Sequence, residues 1–188
     1  WRAADPAGDA GRLIRAMARR HVAIVGYGTG GQAAALALAR AGHHVEIFER
    51  VPDPGPVGAG FLLQPTGLQA LWRLGLLDQA CVLGAPVARL HGETADGRAV
   101  MDMRYADLYP RLCGLGMQRG ALFALLHEAI GMQGDVQLHA DHAIVELDCD
   151  SGRLRDARGA WHGPFDAVVV ADGSASSLRA AVTGMRID

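Results

Sequence analysis

The sequence VAIVGYGTGG, which runs from Val22 to Gly31, carries the strongest indication of the fold. Its first four residues are all apolar, which is typical of a strand buried on both faces, as in a parallel sheet. The glycines then end the strand, and good helix formers follow at once in the run from Gln32 to Arg40. The stretch therefore predicts a strand, a tight turn and a helix, which together open a βαβ unit.

The glycines of this stretch match the pattern G-x-G-x-x-G. Its three fixed positions are Gly26, Gly28 and Gly31, and Gly30 adds a further small residue. In this pattern the first glycine makes a tight turn, the second lets a pyrophosphate approach, and the third lets the helix pack closely on the strand. The helix N-terminus behind them would offer N–H groups and a partial positive charge to phosphate. The pattern predicts a dinucleotide site, although alone it is a weak signal because 25 of the 188 residues are glycine.

An acidic residue follows the next strand-like run. His44 to Phe48 predict a second strand, and Glu49 comes directly after it, roughly 20 residues beyond the first glycine. A carboxylate at this spacing is expected to hydrogen-bond a ribose 2′-hydroxyl of the dinucleotide. The alternative is a solvated charge at the end of a strand. We favour the ribose contact because the glycine pattern precedes it.

The composition is that of an ordinary globular protein. Half of the 188 residues are apolar, a fifth are charged and the formal net charge is −2. This balance predicts no general attraction to nucleic acid or to an anionic membrane, and no apolar run reaches the roughly 18–20 residues that span a bilayer. Cys81, Cys113 and Cys149 are widely spaced. They indicate buried small residues in a reducing, cytoplasmic setting rather than a set of disulfides.

The first twenty residues differ from the rest of the chain. An Ala/Gly/Asp/Pro-rich segment precedes an arginine-rich run over 12–20, which is typical of a targeting segment or of a surface helix. We favour an upstream extension over residues 1–20, disordered or helical, with Met17 as a plausible natural start. Residues 21–188 are then expected to form the folded domain.

The predicted elements change type after the opening unit. Asp96-Gly97 between two alternating runs is a strong turn signal and predicts a hairpin over about 86–104. The remaining patterns predict helices at 64–74, 76–81 and 120–130, and short strands at 136–139, 143–147, 154–157 and 167–170. The last strand is again apolar throughout and is followed by Asp172-Gly173. The fold class is therefore expected to be α/β.

Three separated stretches carry a resemblance to one family. The first is the opening unit through Glu49-Arg50, the second is QRGAL at 118–122, and the third is DGSASSLR at 172–179. They are similar to the glycine loop, the Arg-x-x-Leu motif and the D-G-x-x-S-x-x-R motif of the flavin-dependent aromatic hydroxylases. These are single-component FAD monooxygenases of the p-hydroxybenzoate or salicylate hydroxylase type. The resemblance implies a Rossmann-like FAD/NAD(P)-binding fold with a parallel sheet plus β-meander and hairpin insertions, in which the hairpin at 86–104 begins the substrate domain.

The resemblance implies FAD-binding roles for residues of these stretches. The glycines of the opening turn would line the FAD pyrophosphate, and Glu49, with Arg50 beside it, would contact the adenosine ribose. Arg119 would reach the pyrophosphate–ribityl region, where a forked cation suits a diphosphate. The alternative for Arg119 is a surface arginine at a helix N-terminus, where a cation is mildly disfavoured.

The third stretch is expected to serve two nucleotides. By the same resemblance, Asp172 and Gly173 would lie at the junction between FAD and a visiting NAD(P)H. The alternative is a plain turn after a strand, with Ser174 or Ser176 capping the next helix. Capping and cofactor binding can both hold.

The resemblance also implies a reaction. NADH or NADPH would reduce FAD, and O2 would form a flavin hydroperoxide that hydroxylates a small aromatic substrate. Because the cofactor carries this chemistry, we assign no catalytic side chain. We also predict no metal site, since His139 and His142 lie in strand-like sequence where their side chains would point to opposite faces.

The match to the family is incomplete. A later Gly-Asp motif and most of the family's substrate-binding sheet have no counterpart here, so the chain is expected to be the N-terminal part of a longer enzyme. Two alternatives stay open. One is a truncated, catalytically inactive flavoprotein fragment. The other is an NAD-dependent Rossmann oxidoreductase, which would not explain Arg119 or the motif at 172–179.

Overall fold

The computed structural model describes residues 18–56 and 58–183. The predicted extension covers residues 1–20, and its first 17 residues lie outside the described part of the chain. Internal contacts divide the chain into two compact units. We call the described residues of 4–55 and 126–188 the parallel-sheet unit, and those of 56–125 the antiparallel unit.

The helices and strands follow one another in this order: β1 (His21–Val25), α1 (Thr29–Arg40), β2 (His44–Phe48), β3 (Gly60–Leu63), α2 (Pro65–Arg73), α3 (Leu77–Leu83), β4 (Gly84–Val87), β5 (Arg89–Glu93), β6 (Ala99–Arg104), a 3-10 turn (Tyr105–Asp107), β7 (Gly114–Gln118), α4 (Arg119–Gly131), β8 (Val136–His139), β9 (Ile144–Asp148), β10 (Arg153–Asp156), β11 (Trp161–His162), β12 (Ala167–Val170) and α5 (Arg179–Thr183). The predicted βαβ opening is confirmed within a residue or two at each boundary. None of the described helices is long and apolar enough to cross a membrane.

The parallel-sheet unit is built on four strands in the order β12-β1-β2-β8, and every neighbouring pair is parallel. Strand β1 is central and buried on both faces, as its apolar run predicts. Helix α1 covers one face of the sheet, where a Cβ on Gly31 would lie 3.5 Å from a methyl carbon of Ile24. Ala35 and Leu36 of the same helix are fully buried. The sheet is therefore the doubly covered, parallel type that the sequence predicts.

An antiparallel meander of β9, β10 and β11 belongs to the same unit. Its side chains form a core with the second face of the parallel sheet, and the buried members of this core are Ala23, Val25, Phe48, Ile144, Leu154, Phe165 and Leu178. Alternation along β1 explains this, because Ala23 and Val25 point away from the side chain of Ile24. The predicted meander insertion is thus part of the packing of the parallel sheet.

The antiparallel unit contains a three-stranded sheet, β3-β7-β4, and the separate hairpin of β5 and β6. The hairpin confirms the Asp96-Gly97 signal, since Gly97 N–H donates to the Thr94 carbonyl at 2.9 Å in the turn. Its assignment to a substrate domain stays a prediction. Strands β3, β4 and β7 are not predicted by the sequence pattern. They depend on pairing between distant segments, such as Phe61 opposite Met117.

Candidate cofactor site

The turn between β1 and α1 requires glycine at two positions. Gly26 has a φ of +103°, and a Cβ there would lie 2.5 Å from the Ala171 carbonyl oxygen. A Cβ on Gly31 would lie only 2.0 Å from the Gly26 carbonyl oxygen. Both distances are shorter than any side chain can adopt, so the tight turn and the close helix packing exclude every other residue type at these positions. Gly26 N–H also donates to the Phe48 carbonyl at 2.8 Å, which joins the turn to the end of β2.

The other two glycines of the turn face open space. A Cβ on Gly28 or Gly30 would have no atom within 4 Å. The first hydrogen bond of α1 runs from Gln32 N–H to the Gly28 carbonyl at 2.9 Å, so the amides of residues 29–31 precede the helical ladder. The first turn of α1 carries no acidic residue, and Gly28 at its N-cap has no side chain to cap it. The turn is therefore a cradle with N–H groups and room for an anion.

Glu49 ties the glycine turn to the end of β2. Its Oε2 accepts the Tyr27 N–H at 2.7 Å and its Oε1 accepts the Val51 N–H at 2.9 Å. A carboxylate has about four acceptor positions, so it can still take a ribose hydroxyl. The side chain is half-buried and hydrogen-bonded, which differs from the solvated charge considered as the alternative. Arg50 beside it is exposed.

Asp172 and Gly173 lie at the end of β12, against the glycine turn. Ala171 N–H donates to the Val25 carbonyl at 2.8 Å, which places β12 beside the end of β1. The Asp172 Cα lies 2.9 Å from where a Cβ on Gly26 would stand. The parallel sheet therefore brings these residues to the same edge as the G-x-G-x-x-G pattern, although they are about 140 residues apart in the sequence.

The rest of the 172–179 motif closes its own loop. Ser176 Oγ accepts the Arg179 N–H at 3.1 Å, so a serine side chain satisfies the first N–H of α5, in line with the capping alternative. The Arg179 guanidinium donates to the Gly173 and Ser174 carbonyls at 3.0 and 3.1 Å. These contacts explain the serine and the arginine of the motif, because together they fix the loop that carries Asp172 and Gly173.

Arg119 belongs to the antiparallel unit, unlike the other predicted site residues. It is the first residue of α4 and is exposed, and its N–H donates to the Ala59 carbonyl at 3.2 Å. Its guanidinium carbon lies 3.5 Å from where a Cβ on Gly58 would stand and 5.9 Å from the ring centroid of Phe61. The arginine thus lies along the loop that leads into β3. Its proposed contact with FAD stays a prediction.

Tyr27, inside the glycine pattern, is a polar group that the sequence reasoning missed. Its side chain is buried, and its hydroxyl lies 2.7 Å from His127 Nδ1. Burial raises the pKa of the Tyr27 phenol, and the neighbouring Gln32 side chain offsets part of that rise. Gln32 is itself fully buried. The sequence signal that could have indicated this group is the tyrosine at a variable position of the G-x-G-x-x-G pattern.

Two expectations from the sequence are wrong. Cys81 and Cys149 are exposed, and only Cys113 is partly buried, so the cysteines are not core residues, although all three are free. His139 and His142 do not point to opposite faces, since their ring centroids are 5.7 Å apart. The reason is that β8 ends at His139 and the chain turns at Asp141, which has a φ of 58°, before it reaches His142.

The family is shown by comparison with known sequences. A family model described as FAD binding domain matches residues 19–186. The chain belongs to this family of FAD-binding domains. The predicted cofactor, FAD, is thereby confirmed, as is the resemblance to the N-terminal part of FAD-dependent hydroxylases.

Named relatives agree with this family. The FAD-binding domain is 34% identical over 172 residues to kynurenine 3-monooxygenase of Salinispora arenicola (strain CNS-205), covering 86% of this chain and 37% of that protein. It is 31% identical over 170 residues to FAD-dependent urate hydroxylase of Klebsiella oxytoca, covering 86% of this chain and 42% of that protein. The chain thus spans about two fifths of the length of these relatives.

Solved structures show the same fold. The tetrameric form of 2-methyl-3-hydroxypyridine-5-carboxylic acid oxygenase matches with a TM-score of 0.76 and 26% identity, over 89% of this chain and 43% of that one. PqsL of Pseudomonas aeruginosa, a probable FAD-dependent monooxygenase, matches with a TM-score of 0.71 and 25% identity, over 91% of this chain and 47% of that one. The Rossmann-like FAD-binding fold is therefore confirmed.

Proposed function

We propose that this chain holds FAD by its adenosine diphosphate half, as the cofactor-binding part of an NAD(P)H-dependent monooxygenase that hydroxylates a small aromatic compound. The observation that carries the proposal is the open cradle at Gly28. The turn geometry requires glycine at positions 26 and 31. Gly28, between them, faces open space, and the backbone N–H groups of residues 29–31 lie beside it. Backbone N–H groups at a helix N-terminus suit the negative charge of a diphosphate.

The chain's own residues bind and orient in this proposal. The amides of residues 29–31 would contact the pyrophosphate, and Glu49, with Arg50 as its exposed neighbour, would accept a ribose hydroxyl. Asp172 and Gly173 would meet the cofactor at the same sheet edge. Arg119 is assigned to FAD by its sequence motif alone.

FAD, when bound, would supply the electron transfer and oxygen activation, and no side chain of this chain is assigned a catalytic proton. NADH or NADPH as reductant, O2 as oxidant and an aromatic ring as substrate are proposed from the names of the relatives and the resemblance. A cytoplasmic setting is supported by the three free cysteines.

The test is a steric block of the cradle. Gly28 has φ −69° and ψ 177°, a conformation that valine adopts readily, and a Cβ there meets no protein atom. Gly28→Val should therefore fold normally and weaken FAD binding by at least ~100-fold, since a clash of ~3 kcal/mol with the ligand is expected. Titration of FAD with the protein, followed by flavin fluorescence, measures this.

The matched control is Gly134→Val, at a glycine in the same unit where a Cβ also meets no protein atom. It should bind FAD like the wild type. Equal FAD binding by Gly28→Val and wild type would contradict the proposal, as would a colourless protein that binds NAD but not FAD. Substrate-stimulated NAD(P)H oxidation, compared between this chain and the longer protein, separates a working hydroxylase from an inert FAD-binding fragment.

A further inference from the structure

A layer of histidine and carboxylate side chains lies on the meander face of the parallel sheet. We call it the histidine layer, and its members are His21, His44, Glu46, His139, His142, Asp156 and His162. Ring contacts connect it: the centroids of His21 and His44 are 5.0 Å apart, and those of His142 and His162 are 5.9 Å apart. Nothing in the proposed FAD chemistry uses these groups.

Three members of the layer are placed by strand register. His21 opens β1 and is paired directly with His44, which opens β2. Glu46 is two residues further along β2 and so shares the face of His44. One ligand atom from each of His21, His44 and Glu46 lies within 4.8 Å of the others. The pairing of β1 with β2 therefore places two imidazoles and one carboxylate close together.

Glu46 lies between two histidine side chains at this point. Its Oε1 lies 2.6 Å from His21 Nε2, and its Oε2 lies 2.8 Å from His139 Nε2. The ring of His44 makes no hydrogen bond within the described ranges 18–56 and 58–183. The Glu46 carboxylate is thus oriented by two imidazoles, with the ring of His44 beside it.

The site is separate from the glycine turn. The turn follows the carboxyl end of β1, whereas His21 is the first residue of that strand. Five residues at ~3.3 Å each put the two about 13–16 Å apart along the sheet. A ligand held by His21, His44 and Glu46, which we call the trio, therefore does not belong to the FAD site.

We propose that His21, His44 and Glu46 bind one divalent transition-metal ion of the Zn2+ class. Two imidazoles and one carboxylate form a common protein ligand set for zinc, with the fourth position left to water. His139 keeps the second carboxylate oxygen of Glu46 and orients it, as outer partners of metal ligands do. Zinc bonds of ~2.1 Å place ligand atoms about 3.4 Å apart. Small side-chain rotations on fixed strands are enough to reach that spacing.

The test uses the full, untagged chain after treatment with a chelator. Isothermal titration with ZnCl2 should show one ion per chain, and Co2+ in its place should give the visible absorption of a low-symmetry, tetrahedral site. His44→Gln removes a ligand without removing a hydrogen bond, so the variant should fold and should bind Zn2+ at least ~10-fold more weakly. Glu46→Gln should lose the site as well.

The matched control is His43→Gln, which changes the adjacent histidine outside the trio. It should bind Zn2+ like the wild type, and His44→Gln should bind FAD like the wild type because the two sites are distant. Zinc binding by His44→Gln equal to that of wild type and His43→Gln would overturn the proposal. So would the absence of a stoichiometric ion in the wild type, in which case the trio is a hydrogen-bonded cluster only.

Discussion

The glycine turn and the histidine layer are two polar regions of one parallel-sheet unit. Backbone groups form the first, and side chains form the second. The glycine turn consists of backbone: amide groups, a φ of +103° at Gly26 and empty space at Gly28. The histidine layer consists of imidazole and carboxylate side chains that pack on Phe48 and Phe165. Backbone amides are neutral and do not titrate in the ordinary pH range, whereas carboxylate and imidazole side chains do.

This difference predicts two kinds of sensitivity. A region made of close backbone contacts should respond to added volume and not to pH. A region made of paired side chains should respond to charge and pH, because its hydrogen bonds require particular protonation states. Substitutions in each region test this contrast.

The largest effect is expected at Gly31. Gly31→Val would place a Cβ 2.0 Å from the Gly26 carbonyl oxygen, which is backbone and cannot rotate away. We expect a loss of about 4 kcal/mol or more in the free energy of unfolding, or no folded protein. Urea denaturation at pH 7 measures it.

The control for that loss is Gly30→Ala, one residue earlier in α1. A Cβ at Gly30 meets no atom, so alanine should raise the free energy of unfolding by up to about 1 kcal/mol through its better helix propensity. A similar loss in both variants would mean that helix entry, and not the contact with Gly26, limits stability.

The contrast between the regions also explains what the sequence could predict. Four apolar residues before Gly26 and the helix formers after Gly31 are local signals, and both the strand and the helix are where they indicate. Strand β7, with the sequence GLGMQ, has two glycines and no β-branched residue. It exists because β3 and β4 pair with it across long separations, which no local pattern records.

The polar sites likewise include features that the sequence predicts and features that it does not. The spacing from Gly26 to Glu49 predicts a carboxylate near the turn, and the structure places it there, although its bonds to the Tyr27 and Val51 N–H groups are not readable from the sequence. The histidine layer was missed because its members come from five strands and from a turn at Asp141. Side-chain clusters assembled across strands leave no spacing in one segment.

A smaller effect is expected at Glu49, whose carboxylate accepts hydrogen bonds from the glycine turn and from Val51. Glu49→Ala removes the acceptors of the Tyr27 and Val51 N–H groups and should lower the free energy of unfolding by about 2 kcal/mol. It should also weaken FAD binding, measured by flavin fluorescence. The exposed neighbour is the control, since Arg50→Ala should change stability by no more than ~0.5 kcal/mol. Lower stability with unchanged FAD affinity would limit Glu49 to a structural role.

The smallest effect is a pH-dependent one in the histidine layer. Asp156 Oδ2 lies 2.9 Å from His162 Nε2, and its Oδ1 accepts the Arg158 and Ala160 N–H groups at 2.9 Å each. The His162 contact lowers the pKa of Asp156, burial opposes it, and the two backbone donors add to the lowering.

The lowered pKa fixes the direction of the pH effect. A carboxylate whose pKa is lower in the folded chain than in the unfolded chain, where it is ~3.9, stabilises the fold above that value. The contribution is lost as the pH falls through the lower folded pKa. Asp156→Asn should therefore reduce the free energy of unfolding at pH 7, and its difference from wild type should shrink at pH 3. The exposed Asp150→Asn is the control and should follow the wild type at both pH values.

The same two pH values test the contrast itself. If Gly31→Val yields folded protein, its deficit arises from a steric contact and should be equal at pH 7 and pH 3, whereas the deficit of Asp156→Asn should not. Urea denaturation of both variants beside the wild type gives the comparison directly. A deficit for Asp156→Asn that is unchanged at pH 3 would show that its hydrogen bonds hold the meander without the charge. The histidine layer would then respond to pH no differently from the glycine turn.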